Sequence, residues 1–251
     1  MKTIAFSNMK GGVGKSSLSG AVAAELAQRG DTLLIDCDVQ ASLSGWLAPA
    51  AIGAELADVL FEKTTIADAI VRTAQPGLGI LPSFGLGGEL NVFAENQAGQ
   101  KHNCLRKLVR DAAALGYRYC ILDMHPDFGP LERAALIAAD EVIVPLMPDA
   151  FAVSGFEIFC DRLKRLRADE ETDKPYFSRI AVNGIDGRIK LHAVTIAKMK
   201  AAARDAFTFY EIPVDPCFRT AQDAGLTIQE LSNVKKETLT EIRRLARDIG
   251  E

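Results

Sequence analysis

Cysteine is scarce and scattered in this chain. The 251 residues include five cysteines, and no two of them form a CxxC pair or stand at the spacing of a metal site. Several lie in apolar runs, which is typical of buried, reduced thiols. A disulfide-stapled scaffold and a zinc or iron–sulfur domain are therefore excluded. The cysteines are Cys37, Cys104, Cys120, Cys160 and Cys217.

Long apolar runs and an excess of positive charge are also missing. No run of roughly 18 residues is apolar enough to cross a bilayer. Lys10 and the neighbouring glycines interrupt any apolar stretch that could serve as a signal peptide, so we expect a cytoplasmic protein with no membrane partner. The formal net charge is −4. DNA binding would therefore require a local basic patch, because there is no general positive field.

A glycine-rich loop near the start carries the strongest functional signal. The N–H groups of such a loop can surround phosphates, because glycine turns tightly and has no Cβ. Lys15 would reach the β- and γ-phosphates, and the Ser16 hydroxyl would ligate Mg²⁺. Met9 stands where the strict phosphate-loop pattern has glycine, and Lys10 adds a second cation. The predicted nucleotide-binding loop comprises Lys10, Gly11, Gly12, Val13, Gly14, Lys15, Ser16 and Ser17.

Strand-like and helical segments alternate along the chain. A β-prone segment precedes the glycine loop and a helical segment follows it, which aims a helix N-terminus at the phosphates. Several strand-like runs are apolar at consecutive positions, as in strands covered on both faces. We predict a single α/β P-loop domain over residues 1–251, with a mostly parallel twisted sheet of about seven strands flanked by helices on both faces. The predicted strands are 3–7, 32–36, 78–82, 119–123, 141–145, 179–183 and 207–212, and the predicted helices are 16–29, 101–115, 130–139, 155–168, 191–206 and 234–249.

Acidic residues end two of the predicted strands, at the edge where a ligand would lie. Asp36 and Asp38 could serve Mg²⁺ and the attacking water, and a capping pair before the helix-prone segment at Ser42 is the alternative. Asp123 ends another apolar strand and is placed like an acid that organises hydrated Mg²⁺. The predicted metal-site residues are Ser16, Asp38 and Asp123, and the predicted catalytic residues are Lys10, Lys15 and Asp38.

A further motif bears on the choice of base. Asn183-Gly184-Ile185-Asp186 is similar to the guanine-reading Asn-Lys-x-Asp pattern, but Gly184 replaces the lysine. This difference favours Asn183 as a contact to adenine over a guanine-specific site.

Taken together, these segments resemble the ParA/MinD family of deviant Walker-type ATPases. The likeness rests on the glycine loop with its leading Lys10, the Asp36–Gln40 segment and the Asp123–Pro126 strand end. It covers nearly the whole chain and includes residues 145–149 and 212–213. Residues 39–43 resemble the ParA branch more than the MinD branch. Departures from the family pattern are Val39, Ala41 and His125, the last standing where many members carry proline.

The resemblance implies an ATP- and Mg²⁺-dependent ATPase that forms a sandwich homodimer with ATP. Lys10 would reach the phosphates bound by the second subunit, and Asp38 would position the hydrolytic water. Asn183, Pro213 and Asp215 would contact the nucleotide. It also implies a role in partitioning chromosomes or plasmids at the nucleoid, with a ParB-like protein as the stimulating partner.

Basic residues towards the C-terminal end are candidates for the non-specific DNA binding that the resemblance implies for the dimer. The stretch 186–205 contains several, Arg204 among them, although a basic helix face is often simply solvated. Neutralising phosphates with such residues releases counterions and makes binding salt-dependent. The candidates are Arg188, Lys190, Lys198, Lys200 and Arg219.

Two other functions remain open. A MinD-like membrane-associated or other cargo-positioning ATPase would use the apolar stripe of the last predicted helix at a lipid surface, although such a stripe usually packs on the domain's own core. A metabolic or metal-delivery enzyme could share the fold, but the scattered cysteines argue against metal delivery. The stripe consists of Leu239, Ile242, Leu245 and Ile249.

Overall fold

One eight-stranded sheet forms the centre of the computed structural model, which describes residues 1–203 and 206–251. The strands are β1 (Lys2–Phe6), β2 (Thr32–Cys37), β3 (Val71–Arg72), β4 (Leu78–Leu81), β5 (Tyr119–Met124), β6 (Glu141–Leu146), β7 (Tyr176–Ile185) and β8 (Thr208–Pro213). Their order is β3-β4-β2-β5-β1-β6-β7-β8, and every neighbouring pair is parallel except β3 with β4. All the predicted strands are present, so the predicted α/β class is confirmed. The additional strand is the two-residue edge strand β3.

Helices connect the strands and cover the sheet. The long predicted helices correspond to α1, α6, α7, α8, α9 and α11, within a few residues at each end. Arg204 and Asp205 of the predicted helix 191–206 lie outside the described residues. The helices are α1 (Lys15–Ala27), α2 (Ser42–Leu47), α3 (Leu56–Leu60), α4 (Ile66–Ala69), α5 (Leu90–Asn96), α6 (Cys104–Ala114), α7 (Pro130–Ala138), α8 (Ala152–Asp169), α9 (Lys190–Ala203), α10 (Cys217–Ala224) and α11 (Lys236–Gly250).

The two faces of the sheet have separate hydrophobic cores. One core joins the sheet to α3 through α9, and the other joins it to α1, α2, α10 and α11. Helix α1 is apolar on nearly all sides and is buried along most of its length, as expected of a helix inside a core. Gly20 in α1 allows α2 to approach, because a Cβ there would lie 2.4 Å from the ring of Trp46.

The apolar stripe of α11 faces the protein. Ile242, Leu245 and Ile249 are fully buried and belong to the core shared with α1, whereas Leu239 is half-buried. This packing follows the usual behaviour of an amphipathic helix on a globular domain. It therefore removes the feature on which the membrane-surface alternative depended.

The helices and the cysteines bear on the expectations about membrane spans and thiols. In residues 1–203 and 206–251, no helix has both the length and the apolarity needed to span a bilayer. All five cysteines are unpaired thiols. Burial raises the pKa of the Cys37 and Cys120 thiols above the ordinary value, so these two behave as core side chains.

Candidate functional site

The predicted nucleotide-binding loop lies at the carboxyl edge of the sheet, between β1 and α1. Gly12 and Gly14 have φ angles of 75° and 88°, in the left-handed region that side chains with a Cβ rarely adopt. Gly14 is also crowded, because a Cβ there would lie 2.2 Å from Asn183 Nδ2. The amide of Asn183 donates to the Val13 carbonyl at 3.0 Å and holds the loop against β7.

The N-terminus of α1 is open to an anion. Its N-cap is Gly14, no side chain caps it, and its first turn contains no acidic residue. The N–H groups of that turn and the positive end of the helix dipole therefore point at the position where phosphates would lie. Lys15, the first residue of the helix, is buried. Burial lowers the pKa of its ammonium group, while nearby acids, with Asp123 and Glu132 foremost, act in the opposite direction.

The two lysines of the loop have different environments. Lys15 Nζ is directed back at the loop and donates to the Lys10 carbonyl at 3.3 Å. The side chain of Lys10 is 49% exposed and extends outward towards β6, the neighbour of β1 in the sheet. There it forms an ion pair with Asp149, which follows β6. Exposed ion pairs of this kind contribute about 0–1 kcal/mol, so a stronger anion can displace Asp149.

Asp123 is the strongest indication of a cation. It lies at the end of β5, is fully buried, and neither of its carboxylate oxygens has a hydrogen-bond partner among the described residues. Burial raises its pKa to about 8, with a further contribution from Asp36, while the nearby Ser16 and Ser19 hydroxyls lower it. A divalent cation between Asp123 and Ser16 would replace the proton and stabilise the ionised carboxylate, so the residues present fit Mg²⁺.

The described residues contain no group of three or more His, Cys, Asp or Glu side chains arranged to hold a metal ion. A magnesium site here would therefore combine Ser16 and Asp123 with phosphate oxygens and water, which is common for this ion.

Asp36 and Asp38 have different partners. Asp36 is fully buried and accepts hydrogen bonds from Ser44 N at 2.8 Å, Ser44 Oγ at 2.7 Å and Asp38 N at 3.1 Å. Asp36 thus holds the first turn of α2 through Ser44, although the N-cap residue of α2 is Ala41. Burial nevertheless raises the pKa of Asp36 to about 6. Asp38 lies further along, where its Oδ1 accepts from Gln40 N at 2.8 Å and contacts His125 Nδ1 at 2.7 Å.

The proposed nucleotide contacts outside the loop come from β7, β8 and the segment after β8. Asn183 lies beside the loop, and Pro213 ends β8 next to Ile185 of β7. The Asp215 carboxylate is engaged within the protein: it accepts from Cys217 N, Lys235 N and Thr238 Oγ1 at 2.8–3.0 Å. The roles of Asn183, Pro213 and Asp215 towards adenine stay predictions.

The candidate DNA-binding residues are all exposed but are not equally available. Arg188 forms a bidentate ion pair with Asp186, and Lys200 pairs with Glu211. Lys190 and Lys198 lie on α9, and Arg219 lies on α10. Among the described residues no ion pair involves these last three. Their contact with DNA stays a prediction.

Sequence reasoning missed a buried acid beneath the loop. Glu132 on α7 is 1% exposed, and its Oε1 accepts from Ser7 Oγ at 2.5 Å. Its Oε2 has no partner among the described residues. Burial raises its pKa to about 8. The available signal was a single acid in helix α7 (Pro130–Ala138), where it stands beside Arg133 and is easily taken for part of an exposed polar face.

Known proteins share these features. A family model described as an AAA domain matches residues 1–174. The chromosome partitioning protein ParA of Caulobacter vibrioides is 33% identical over 176 residues, which cover 66% of this chain and 64% of that protein. The chromosome-partitioning ATPase Soj of Treponema pallidum is 29% identical over 234 residues, covering 90% of this chain and 88% of that protein.

Solved structures give the same result for the fold. The septum site-determining protein MinD of Pyrococcus horikoshii, complexed with Mg-ADP, superposes with a TM-score of 0.80 at 20% identity, covering 100% of this chain and 96% of that chain. A P-loop nucleoside-triphosphatase fold is defined by the order of the strands, the glycine-rich loop after β1 and the acids at the strand ends. The chain belongs to the ParA/MinD family of P-loop ATPases, and the family predicted from its sequence is confirmed.

The raised pKa of Glu132 predicts a pH-dependent stability. The folded chain keeps a proton on this side chain up to a pH of about 8, whereas the unfolded chain releases it near the ordinary value of 4.5. Stability from this group is therefore full below 4.5 and is lost as the pH rises to about 8, with a slope of up to about 1.4 kcal/mol per pH unit. Asp123 contributes with the same sign.

The free energy of unfolding, measured with denaturant from pH 5 to pH 8 without nucleotide or metal, checks the predicted pH dependence. Glu132→Gln keeps an acceptor for Ser7 and should show a smaller loss of unfolding free energy with rising pH. The exposed Glu237→Gln on α11 is the control and should follow the wild type. Equal pH dependence in the wild type and Glu132→Gln would contradict the assignment.

Proposed function

We propose that this protein is a ParA-like, Mg²⁺-dependent ATPase that dimerises when ATP is bound and releases its dimer when ATP is hydrolysed. The observation that carries the proposal is the separation of the two loop lysines. Lys15 is buried at the start of α1, whereas Lys10 points outward and, among the described residues, pairs with the half-buried Asp149 after the neighbouring strand β6. An outward lysine at the head of the loop is placed to reach phosphates held by a second subunit.

Exposed apolar side chains support a dimer formed across this edge. Leu86 is 93% exposed in the loop after β4, and Phe151 is 72% exposed in the segment after β6. Ile189 and Val214 are exposed just after β7 and β8. All four lie at the carboxyl ends of parallel strands and thus on the edge that holds the nucleotide. A group of exposed apolar residues favours an interface there, although others, such as Leu115 and Tyr176, are exposed elsewhere.

The proposed chemistry relies mainly on positioning and on electrostatics. Lys15, Ser16 and the α1 N-terminus would hold the β- and γ-phosphates. Lys10 of the second subunit would offset charge that develops on the transferred group, a task worth roughly 10³–10⁵ in rate where an arginine finger performs it. Asp38 would orient the attacking water. Mg²⁺ held by Ser16 and Asp123 would neutralise phosphate charge.

The cargo is proposed to be DNA. The relatives include a chromosome partitioning protein, a chromosome-partitioning ATPase and a cell division protein. The chain has a formal charge of −4, so a single copy would hold DNA weakly. Pairing two copies would place two basic surfaces on one duplex and double the number of phosphates neutralised. A ParB-like protein would stimulate hydrolysis, and the ATP-bound dimer would associate with the nucleoid.

Substituting the two lysines separately tests the proposed division of labour. Lys15→Ala removes the cation that serves phosphates within its own subunit, so ATP affinity should fall by about tenfold or more. Lys10→Ala should leave affinity for ATP in the monomer within about twofold while stable dimers and hydrolysis are lost. The measurements are calorimetric ATP binding, light scattering and phosphate release. Normal dimerisation and hydrolysis in Lys10→Ala would show that its proposed role is wrong.

DNA retention should be nucleotide-gated, independent of sequence and strongly salt-dependent. If each subunit contributes about three phosphate contacts, the slope of log affinity against log salt should be roughly −5 for the dimer. Gel retardation of unrelated duplexes with ATP and with ADP gives this slope. Replacing Lys190 and Lys198 with alanine should make it shallower.

Replacing Lys107 and Arg110 on α6 with alanine is a matched loss of two exposed cations away from α9 and should leave the slope unchanged. Equal retention with ATP and ADP, or preference for one duplex, would count against the proposed switch.

A further inference from the structure

The parallel register of β2 and β5 brings His125 to Asp38. Asp36 is the partner of Asp123 and Cys37 is the partner of Met124 across these strands. Asp38 follows β2 and His125 follows β5, so their side chains meet at the carboxyl edge of the sheet. The distance from His125 Nδ1 to Asp38 Oδ1 is 2.7 Å.

We propose that His125 is a positioning residue that holds the Asp38 carboxylate in the orientation needed to direct water at the γ-phosphate. This inference rests on the proposed function, since it assigns a second residue to the role of Asp38. A carboxylate only accepts hydrogen bonds, so His125 donates from Nδ1. Oδ1 then has two donors, His125 Nδ1 and Gln40 N.

The second oxygen of Asp38 is left for the water. Among the described residues no group donates to Asp38 Oδ2, and the Asp38 side chain keeps 10% of its surface accessible. With Oδ1 fixed by two donors, rotation about the side-chain bonds would break at least one hydrogen bond. The direction of Oδ2 is therefore set by the pair of donors, which is how a supporting residue preorganises a reactive group.

His125 is itself held in place next to the nucleotide-binding loop. Its carbonyl accepts from Asp127 N at 2.9 Å. Pro126, the next residue, packs beside the loop, since a Cβ on Gly11 would lie 3.9 Å from Pro126 Cγ. The imidazole side chain is 32% exposed. Among the described residues, the hydrogen bond of the imidazole ring is the one to Asp38.

Substitutions at His125 show whether its hydrogen bond to Asp38 matters or only the space that its side chain fills. His125→Ala removes the donor and should lower kcat by about tenfold or more, because small displacements of a positioned group reduce rates strongly. KM for ATP should stay within about twofold, since the loop and Lys15 hold the nucleotide. Asn places an N–H near the position of Nδ1, whereas Gln places its amide near Nε2. His125→Asn should therefore recover most of kcat, and His125→Gln should not.

His102→Ala, at an exposed position before α6, is the matched control and should behave as wild type. Unchanged kcat in His125→Ala would overturn the proposal. So would a His125→Asn variant that loses as much kcat as His125→Ala, because the bond would then not be the cause. Thermal unfolding of each variant identifies any that fail to fold.

A spectroscopic measurement tests the hydrogen bond without using activity. The chain has three histidines, so nitrogen-15 spectra of the imidazole rings can be assigned by substitution. In neutral His125 the proton should lie on Nδ1, and Asp38→Ala should abolish that preference. A proton on Nε2 in the wild type would contradict the proposal.

The same Asp38→Ala variant separates this inference from the proposed function. If it hydrolyses ATP at the wild-type rate, the role of Asp38 is wrong and His125 has no water-directing residue to position, whatever the spectrum shows. If it binds ATP without hydrolysis while the His125 variants are fully active, only the inference about His125 fails.

Discussion

Ionising a buried carboxyl group that has no well-placed hydrogen-bond donor is strongly unfavourable, and Asp123 at the carboxyl edge of this sheet is such a group. Neither of its oxygens has a partner among the described residues, and its pKa is raised to about 8. Close by, Lys15 is buried with a lowered pKa and the N-terminus of α1 has no side-chain cap. Ionised Asp123 and charged Lys15 attract each other, but burial opposes the charged form of both. A phosphate chain with its magnesium ion would stabilise both charged forms, so ligand binding should stabilise the folded chain.

Other residues at the carboxyl edge of the sheet hold the segments around Asp123 and Lys15 in place. Asp36 is opposite Asp123 in the sheet but has three donors of its own, so it can anchor the start of α2. That anchor fixes the turn that carries Asp38. On the other side, Asn8 donates to the Pro145 carbonyl at 2.6 Å and accepts from Lys10 N at 3.0 Å, which ties the head of the loop to β6. The backbone at the head of the loop is thus held by β6, while Lys15 is held at the start of α1. Lys10 and Lys15 therefore keep separate positions at the site.

Features set by local sequence were predictable. The consecutive apolar runs identified the strands, and the glycine spacing identified the loop, because both depend on neighbouring residues. The helices α3, α4 and α5 have only 4–7 residues, too short for a helical period to be recognised. The edge strand β3 has two residues and no period at all.

Contacts between distant residues needed the strand order. Lys10 and Asp149 are 139 positions apart, and Asp38 and His125 are 87 positions apart. Each pair meets because two parallel strands happen to be neighbours in the sheet. Given that order, the contact between Asp38 and His125 follows from the register. Glu132 could not have been identified in this way, since burial of an acid on a helix depends on what packs over it.

The proposed ATP-driven dimer is tested most directly by the mass of the protein in solution. Light scattering with Mg²⁺ and either ADP or a slowly hydrolysed ATP analogue compares the two nucleotide states at one protein concentration. A monomer with ADP and a doubled mass with the analogue are expected, since only the γ-phosphate gives Lys10 of a second subunit a partner that can replace Asp149. The same mass in both states would contradict the sandwich dimer.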